Sequence, residues 1–323
     1  GPTQLEPQDT TPVASGPTLV GSEIRLSSDP LSESWVKISG ERVVWARGSW
    51  PSADIVVHDL ATSTTTRITP QTARRWSPDI SGDRIVWYEG PVGNTDIYLY
   101  DLTTETLTQV TTDERDQQEP SISGTRIVWE DLRNENSDIC LRDLESGGEV
   151  FLTTDGAYQR LPSISEDRVV WEDYRNGNWD IYLHDLSTGE EHQITSDLAD
   201  DQDPHISGDL IVWSRGNWTV SDVFMHDLTT GVTTQITTNP DGQGSPTISG
   251  NYIVWHDRRR SGGNPGNADI YLYDLTTGTE VRVTTQSNIG QWRPRIDGNR
   301  FVWHDWRNGN ADIYMYEVTQ IIQ

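Results

Sequence analysis

Hydrophobic positions in this chain come in short bursts of Ile, Val, Leu, Tyr and Trp, each bounded by Gly, Asn, Asp, Ser or Pro. That is the pattern of β-strands separated by turns. The i, i+3, i+4, i+7 spacing of an amphipathic helix is sustained nowhere. The bursts repeat. A unit of the type Pro-x-Ile-Ser-Gly-Asp-Arg-Ile-Val-Trp places its first Ile at Ile38, Ile80, Ile122, Ile164, Ile206, Ile248 and Ile296, an interval of 42 residues five times and then 48. The extra residues lie in the loop Arg258–Asn267. A second block, Asp-Ile-Tyr-Leu-Tyr-Asp-Leu, follows in each unit, clearest at Asp96–Leu102, Asp180–Leu186 and Asp269–Leu275. A third, such as Gln193–Thr195 or Gln235–Thr237, closes the unit.

These blocks predict four antiparallel strands per unit: a at Pro-x-Ile-Ser, b at Arg-Ile-Val-Trp, c at Asp-Ile-Tyr-Leu-Tyr and d at Thr-Gln-Ile-Thr. Strand c is apolar on both alternating faces, as a sheet buried on both sides requires. A period of this length with four strands per unit predicts an all-β fold, a seven-bladed β-propeller. The seventh unit ends before its strand d. Glu23–Pro30 aligns without gaps to Thr233–Pro240, so residues 22–27 are expected to supply that strand and close the ring. Closure removes exposed sheet edges. Residues 1–17, rich in Pro, Thr and Gln, read as a flexible tether with Gly1-Pro2 as a cleavage scar, and residues 18–323 as a single propeller, one module of a longer chain.

Composition narrows the function classes. The 323 residues include 50 acids against 24 basic residues, for a net charge of −26. This argues against nucleic acid as a partner. No run of about 18 apolar residues suggests membrane insertion. The one cysteine, Cys140, excludes a disulfide framework. Only Lys37 is lysine, and an acidic, lysine-poor surface points to an extracellular, cell-surface or periplasmic setting. A monomeric propeller is expected.

The 14 tryptophans divide evenly. Trp45, Trp87, Trp129, Trp171, Trp213, Trp255 and Trp303 close strand b and are expected to pack between blades. The others, Trp35, Trp50, Trp76, Trp179, Trp218, Trp292 and Trp306, fall in or beside the variable b–c and d–a loops, with Tyr158, Tyr174, Arg175, Arg293 and Arg307. An aromatic and arginine-rich loop face suits a glycan or a protein ligand. A varied residue precedes the repeated Ile, and Lys37, Asp79, His205 and Arg295 there are expected to line or flank the central channel, with Arg295, Lys37 and Asp79 as one charged cluster. Glu130-Asp131, Glu172-Asp173, His256-Asp257 and His304-Asp305 follow strand b; the acids are expected to cap the turn or pair with Arg133, Arg175 and Arg307 rather than hold a metal. No cofactor is expected. The Asp-x-Arg-Asn-Gly-Asn-x-Asp loops leave a structural calcium ion open, although their spacing departs from a calcium loop.

Pro204–Trp213, DYRNGNWDIY at Asp173–Tyr182 and DWRNGNADIY at Asp305–Tyr314 resemble the repeats of the TolB-type propeller family, and the similarity runs over about residues 18–318. The resemblance implies the fold. Such propellers serve as binding modules, peptidase accessory domains and some polysaccharide lyases. TolB itself has six blades behind an α/β domain, whereas this chain has seven units and no such domain, so no TolB residue role carries over. The expected function is a non-catalytic extracellular binding module that captures a glycan or protein on the loop face. The alternatives are a carbohydrate-active enzyme, of polysaccharide lyase or glycosidase type, with its site at the channel mouth, and a structural surface-layer module.

Overall fold

The computed structural model describes residues 17–49, 51–69, 74–217, 219–261, 266–284 and 290–322. They form seven four-stranded antiparallel sheets, each a meander in the order a-b-c-d. The fourth blade is representative: strand a is Gln159–Ser165, b Arg168–Asp173, c Asp180–Asp185 and d Glu190–Gln193. The seventh sheet takes its outer strand from the N-terminus. Thr18–Arg25 pairs antiparallel with Asp312–Ile322, Arg25 opposite Tyr314 and Thr18 opposite Ile322. The closing strand thus starts and ends a few residues earlier than the repeat alignment places it. Ser27 and Leu26 continue the junction, since Leu26 N–H donates to the Ile313 carbonyl at 2.9 Å and Ile313 N–H to the Ser27 hydroxyl at 2.8 Å.

The core is seven interfaces between neighbouring sheets. Each takes its centre from the strand-b tryptophan of one blade and from apolar residues of strands b and c of the preceding one, such as Trp171 with Val128, Ile139 and Leu141. All seven strand-b tryptophans are at most 1% exposed. Burying an indole requires a partner for its N–H, and every blade supplies a carboxylate. In five blades the acid lies two residues on, as from Trp171 to Asp173 at 3.0 Å, from Trp303 to Asp305 at 3.2 Å and, in the second blade, from Trp87 to Glu89. In the first and fifth it comes from strand a, as Glu33 and Asp201.

The buried acid needs a counterion in turn. Arg175 holds Asp173 at 2.6 Å and Arg307 holds Asp305 at 2.5 Å, and their guanidinium groups lie 4.2 and 4.0 Å from the rings of Tyr182 and Tyr314. In the second blade Arg75 and Glu89 pair at 2.6 Å; in the fifth, Asp201 and Arg215 pair at 2.7 Å with donor and acceptor strands exchanged. The first blade departs. Arg47 turns to Asp29 and Asp54, and Glu33 is held by the Trp45 indole and the Ser27 hydroxyl. Burial, the main cause, then raises the Glu33 carboxyl to about 7.

Arg175 and Arg307, expected on the ligand face, are therefore part of this clamp. Replacing Asp173 by Ala strands the Trp171 indole and leaves the partly exposed Arg175 with only Glu191 and Asp155. Chemical denaturation should show a loss of about 2–3 kcal/mol, whereas a loss below about 0.5 kcal/mol would mean the clamp is ornamental.

Candidate active site at the channel mouth

Strand a of every blade lines the central channel. Its pairing with strand b is interrupted at the same place seven times, for example between Arg160 and Ser163. The residue inside this bulge has left-handed φ in every blade: Trp35 (52°), Ser77 (46°), Glu119 (48°), Leu161 (52°), Asp203 (55°), Ser245 (49°) and Arg293 (51°). Six of the seven directly precede a proline, which restricts them further. Each such residue costs about 1–3 kcal/mol. The side chains of all seven ring one cavity of about 330 Å³.

The bulge frees a backbone N–H, and in two blades the preceding blade takes it up with the residue that follows its buried tryptophan. Glu130 accepts from Leu161 N–H at 2.7 Å and Glu172 from Asp203 N–H at 2.6 Å. His304 Nε2 accepts from Val36 N–H at 3.2 Å, one residue past the bulge. The expectation that the acids after strand b cap their own turn or pair with the nearby arginine holds for Asp131, Asp173 and Asp305. Glu130, Glu172 and His304 instead reach across a blade boundary and support the mouth.

Below this ring lies a second, the residue before each repeated Ile. Lys37, Asp79, His205 and Arg295 are among the residues that line the channel. Lys37 pairs with Asp79 at 3.3 Å, and Asp79 also accepts from the Ser121 hydroxyl at 2.9 Å and Ile122 N–H at 3.0 Å. Arg295 is different. Its guanidinium donates to the Pro294 carbonyl at 2.8 Å, and its Nε is buried with no hydrogen-bond partner among the described residues. Burial, with Arg293 next, lowers the guanidinium to about 10. His205 and His304 are held neutral, near 3, by burial first and by the adjoining cations second. Further down, the strand-a serines stitch each blade to the next: Ser81 accepts from Gly124 N–H at 2.9 Å and Ser165 from Gly208 N–H at 3.1 Å.

The mouth is therefore divided by charge. Arg293, Arg295 and Lys37 stand on the adjoining seventh and first blades. Glu119 and Asp203 stand on the third and fifth, across the cavity. Among the described residues neither Arg293 nor Arg295 forms an ion pair. Most other arginines do, so two adjoining guanidinium groups stand at the mouth without a carboxylate partner.

The loop aromatics are placed otherwise than expected. Trp76 stacks on Tyr88, with centroids 5.4 Å apart; Trp179 lies 5.0 Å from Tyr174 and carries Arg160 at 3.8 Å; Trp292 packs on His256 at 4.7 Å. Tyr158 and Trp306 are about half exposed, at 56% and 48%. Trp50 and Trp218 lie outside the described residues. Of the residues expected on the loop face, only Trp35 and Arg293 line the mouth. The sequence reading missed Ser77, Glu119, Leu161, Asp203 and Ser245; the signal was the varied residue before each proline of the Pro-x-Ile repeat.

No family model matches this sequence, and no curated relative does. Solved structures match it in fold. The putative TolB of Agrobacterium tumefaciens aligns with a TM-score of 0.54 and 20% identity over 68% of this chain and 85% of its own. The β-propeller domain of the Trilobed protease from Pyrococcus furiosus, described as having an open velcro topology, aligns with a TM-score of 0.69 and 14% identity over 92% and 96%. An oligogalacturonate lyase in complex with manganese aligns with a TM-score of 0.67 and 12% identity over 95% and 97%. The chain has a TolB-like propeller fold.

The expected non-catalytic module with its ligand on the loop face is corrected by these findings. The matched lyase is spanned by this fold for nearly its whole length, and the neighbours include peptidase propellers as well. Within the chain, the loop aromatics and arginines are largely engaged in stacks and clamps, and the uncompensated groups are in the channel. Among the described residues no three His, Cys, Asp or Glu side chains stand together as a metal site. The manganese of the lyase complex therefore finds no matching ligand set among them.

The supports of the mouth carry a pH signature. Burial, with the Glu119 charge second, raises Glu130 to about 8; burial, with the Asp203 charge second, raises Glu172 to about 7. A carboxyl raised in the folded state stabilises it fully below its ordinary pKa, here 4.5, and that stability is lost as pH rises through the folded value. The histidines work the other way, since a lowered imidazole costs stability only as pH falls below its ordinary 6.5. Above that point the carboxyls are the groups that shift. Melting temperature should fall between about pH 6.5 and 8.5, and Glu130→Gln should flatten part of that fall. An identical slope in the variant would contradict the assignment.

Proposed function

We propose that the channel mouth is the active site of a carbohydrate-active enzyme of the lyase type, acting on an acidic oligosaccharide. The observation that carries this reading is the charge division of the mouth: Arg293, Arg295 and Lys37 on one side, Glu119 and Asp203 on the other, around a cavity large enough for a sugar unit. The neighbours named oligogalacturonate lyases, which share the fold over nearly their whole length, support the choice of reaction class.

A uronate unit fits the division. Its carboxylate is taken by Arg295, whose buried N–H lacks a partner, and by Arg293 above it. Charge-assisted, bidentate contacts of this kind are short and orienting. Trp35 offers its ring to the apolar face of the sugar. The bound carboxylate makes the proton on the neighbouring carbon acidic, because the charge that develops when it leaves is spread onto oxygens already held by cations. Asp203 takes that proton as the base. The electron pair forms the carbon–carbon double bond, and the bond to the glycosidic oxygen on the next carbon breaks. The departing oxygen takes a proton from the acidic side of the mouth or from water, so atoms and charge balance without an oxidant. His304 positions the first blade through Val36. Neutral His205 lines the wall without adding a charge. We place the protein outside the cytoplasm, in keeping with its acidic, lysine-poor composition.

The test is a screen of oligogalacturonates and other uronate oligosaccharides, read by the ultraviolet absorbance of the unsaturated product. The wild type should generate it. Arg295→Gln should lower kcat/KM by about 10²–10³-fold, as for loss of one group that stabilises developing charge, and Asp203→Asn should abolish turnover. Failure of every uronate substrate, or turnover indifferent to Arg295→Gln, would overturn the proposal.

A further inference from the structure

The bulge ring holds more information than its charges. Left-handed backbone also recurs at the a–b turn of every blade. There the residue is glycine in six blades, Gly40 and its counterparts, with Glu166 the single exception. A side chain at Gly40 would meet nothing within 4 Å, so glycine serves that turn for its backbone freedom alone. The strand-a bulge demands the same half of φ space in all seven blades, and glycine occupies it in none.

Some of these side chains also touch the fold, since Ser77 donates to Glu119 at 2.6 Å, Ser245 to Asp203 at 3.4 Å, and Trp35 packs on the core between the first and second blades; the bulge backbone itself requires none of them. In two blades the bulge gives a backbone N–H to the preceding blade, from Leu161 to Glu130 and from Asp203 to Glu172. Glycine would donate equally well and without strain. Instead the seven positions carry six different residue types, indole, hydroxymethyl, carboxylate, isobutyl and guanidinium among them, and all of them face the cavity. A constant backbone with a varied side chain is a scaffold that displays chemistry at chosen angles around one opening.

We propose that the bulge ring is the specificity-determining element of the channel mouth, seven fixed positions whose side chains are kept, against the preference of their own backbone, to read a ligand. The inference rests on the reading of the mouth as a ligand site and not on the reaction performed there. Trp35 and Arg293, on adjoining blades, read a sugar face and an anion side by side. Glu119 and Asp203 read hydroxyl or cationic groups opposite, and Leu161 between them sets an apolar limit.

Two measurements on the full chain test this. The first compares melting temperatures without ligand. Leu161→Gly and Arg293→Gly, at bulge positions whose side chains form no hydrogen bond among the described residues, should leave melting unchanged or raise it by about 1–2 °C. Ser163→Gly, two residues along the same strand at ordinary φ, should lower it. The second measures affinity for an oligogalacturonate, a neutral oligosaccharide and an acidic peptide. The variants exchange ring residues for one that the ring already uses: Trp35→Ser, Asp203→Ser and Arg293→Ser. Whichever probe binds the wild type should bind these variants about tenfold more weakly or worse, with melting preserved in Asp203→Ser and Arg293→Ser; Trp35→Ser also loses a core contact and is read by affinity at a temperature where it is folded. If a probe other than the oligogalacturonate binds and the exchanges abolish its binding, the uronate reading falls and the ring stands. Bulge glycines that destabilise like Ser163→Gly, exchanges that leave affinity within about twofold, or no binding of any probe to the wild type would overturn the ring.

Discussion

Everything in this propeller hangs on the buried indole N–H of strand b. Placing a tryptophan at the centre of each sheet interface gives the blades their apolar contact, but it also places a polar hydrogen where water cannot reach it. A carboxylate answers it, and the carboxylate, buried in turn, calls for an arginine. The arginine's planar face then settles on a strand-c or strand-d ring in most blades, as over Tyr182 and Tyr314. One donor thus recruits an acid, a cation and an aromatic in sequence. Blades meet this demand in different ways: the acid sits after strand b in the fourth blade as Asp173 and in strand a of the fifth as Asp201. Because the requirement belongs to the interface, its location can move within the blade without changing the fold.

The clamp also explains where the uncompensated chemistry is. Acids and arginines on the outer parts of the blades cancel one another locally. The inner strand ends are different, since the strand-a bulge turns its residues into the channel and away from the clamps. Glu130, Glu172 and His304 use their polar atoms to hold bulge backbone, so they are spent as supports. What is left facing the opening is Arg293, Arg295, Glu119 and Asp203. A chain with a net charge of −26 has in this way concentrated free guanidinium groups at one mouth. For an anionic ligand the surrounding acidity favours release elsewhere and capture here, a contrast that acts as specificity more than as affinity.

The fold was readable from the chain because its information is periodic. Ile38 and its six counterparts, the Asp-Ile-Tyr blocks and the unpaired seventh unit specify blade count, strand order and even the source of the closing strand. The site was readable in part. Lys37, Asp79, His205 and Arg295 break a small-polar pattern at an inward position, so alternation alone places them in the channel. Asp203 and Glu119 were missed because they sit inside a bulge, where the extra residue reverses the alternation and a period-2 reading assigns them to the wrong face. The loop aromatics misled for a different reason. Variation among repeats marks both ligand contacts and private packing solutions, and sequence alone does not distinguish Trp35, which lines the mouth, from Trp179, which is stacked between Tyr174 and Arg160.

The central claim is that ligand engages the inner ends of the blades and not their outer loops. Backbone hydrogen–deuterium exchange with and without a bound oligogalacturonate tests this directly. The account predicts slowed exchange confined to the starts of strand a, around Val36–Ile38, Asp203 and Arg295, with the segments bearing Tyr158 and Trp306 unchanged. Protection at those two loops with the channel amides unaffected would contradict it.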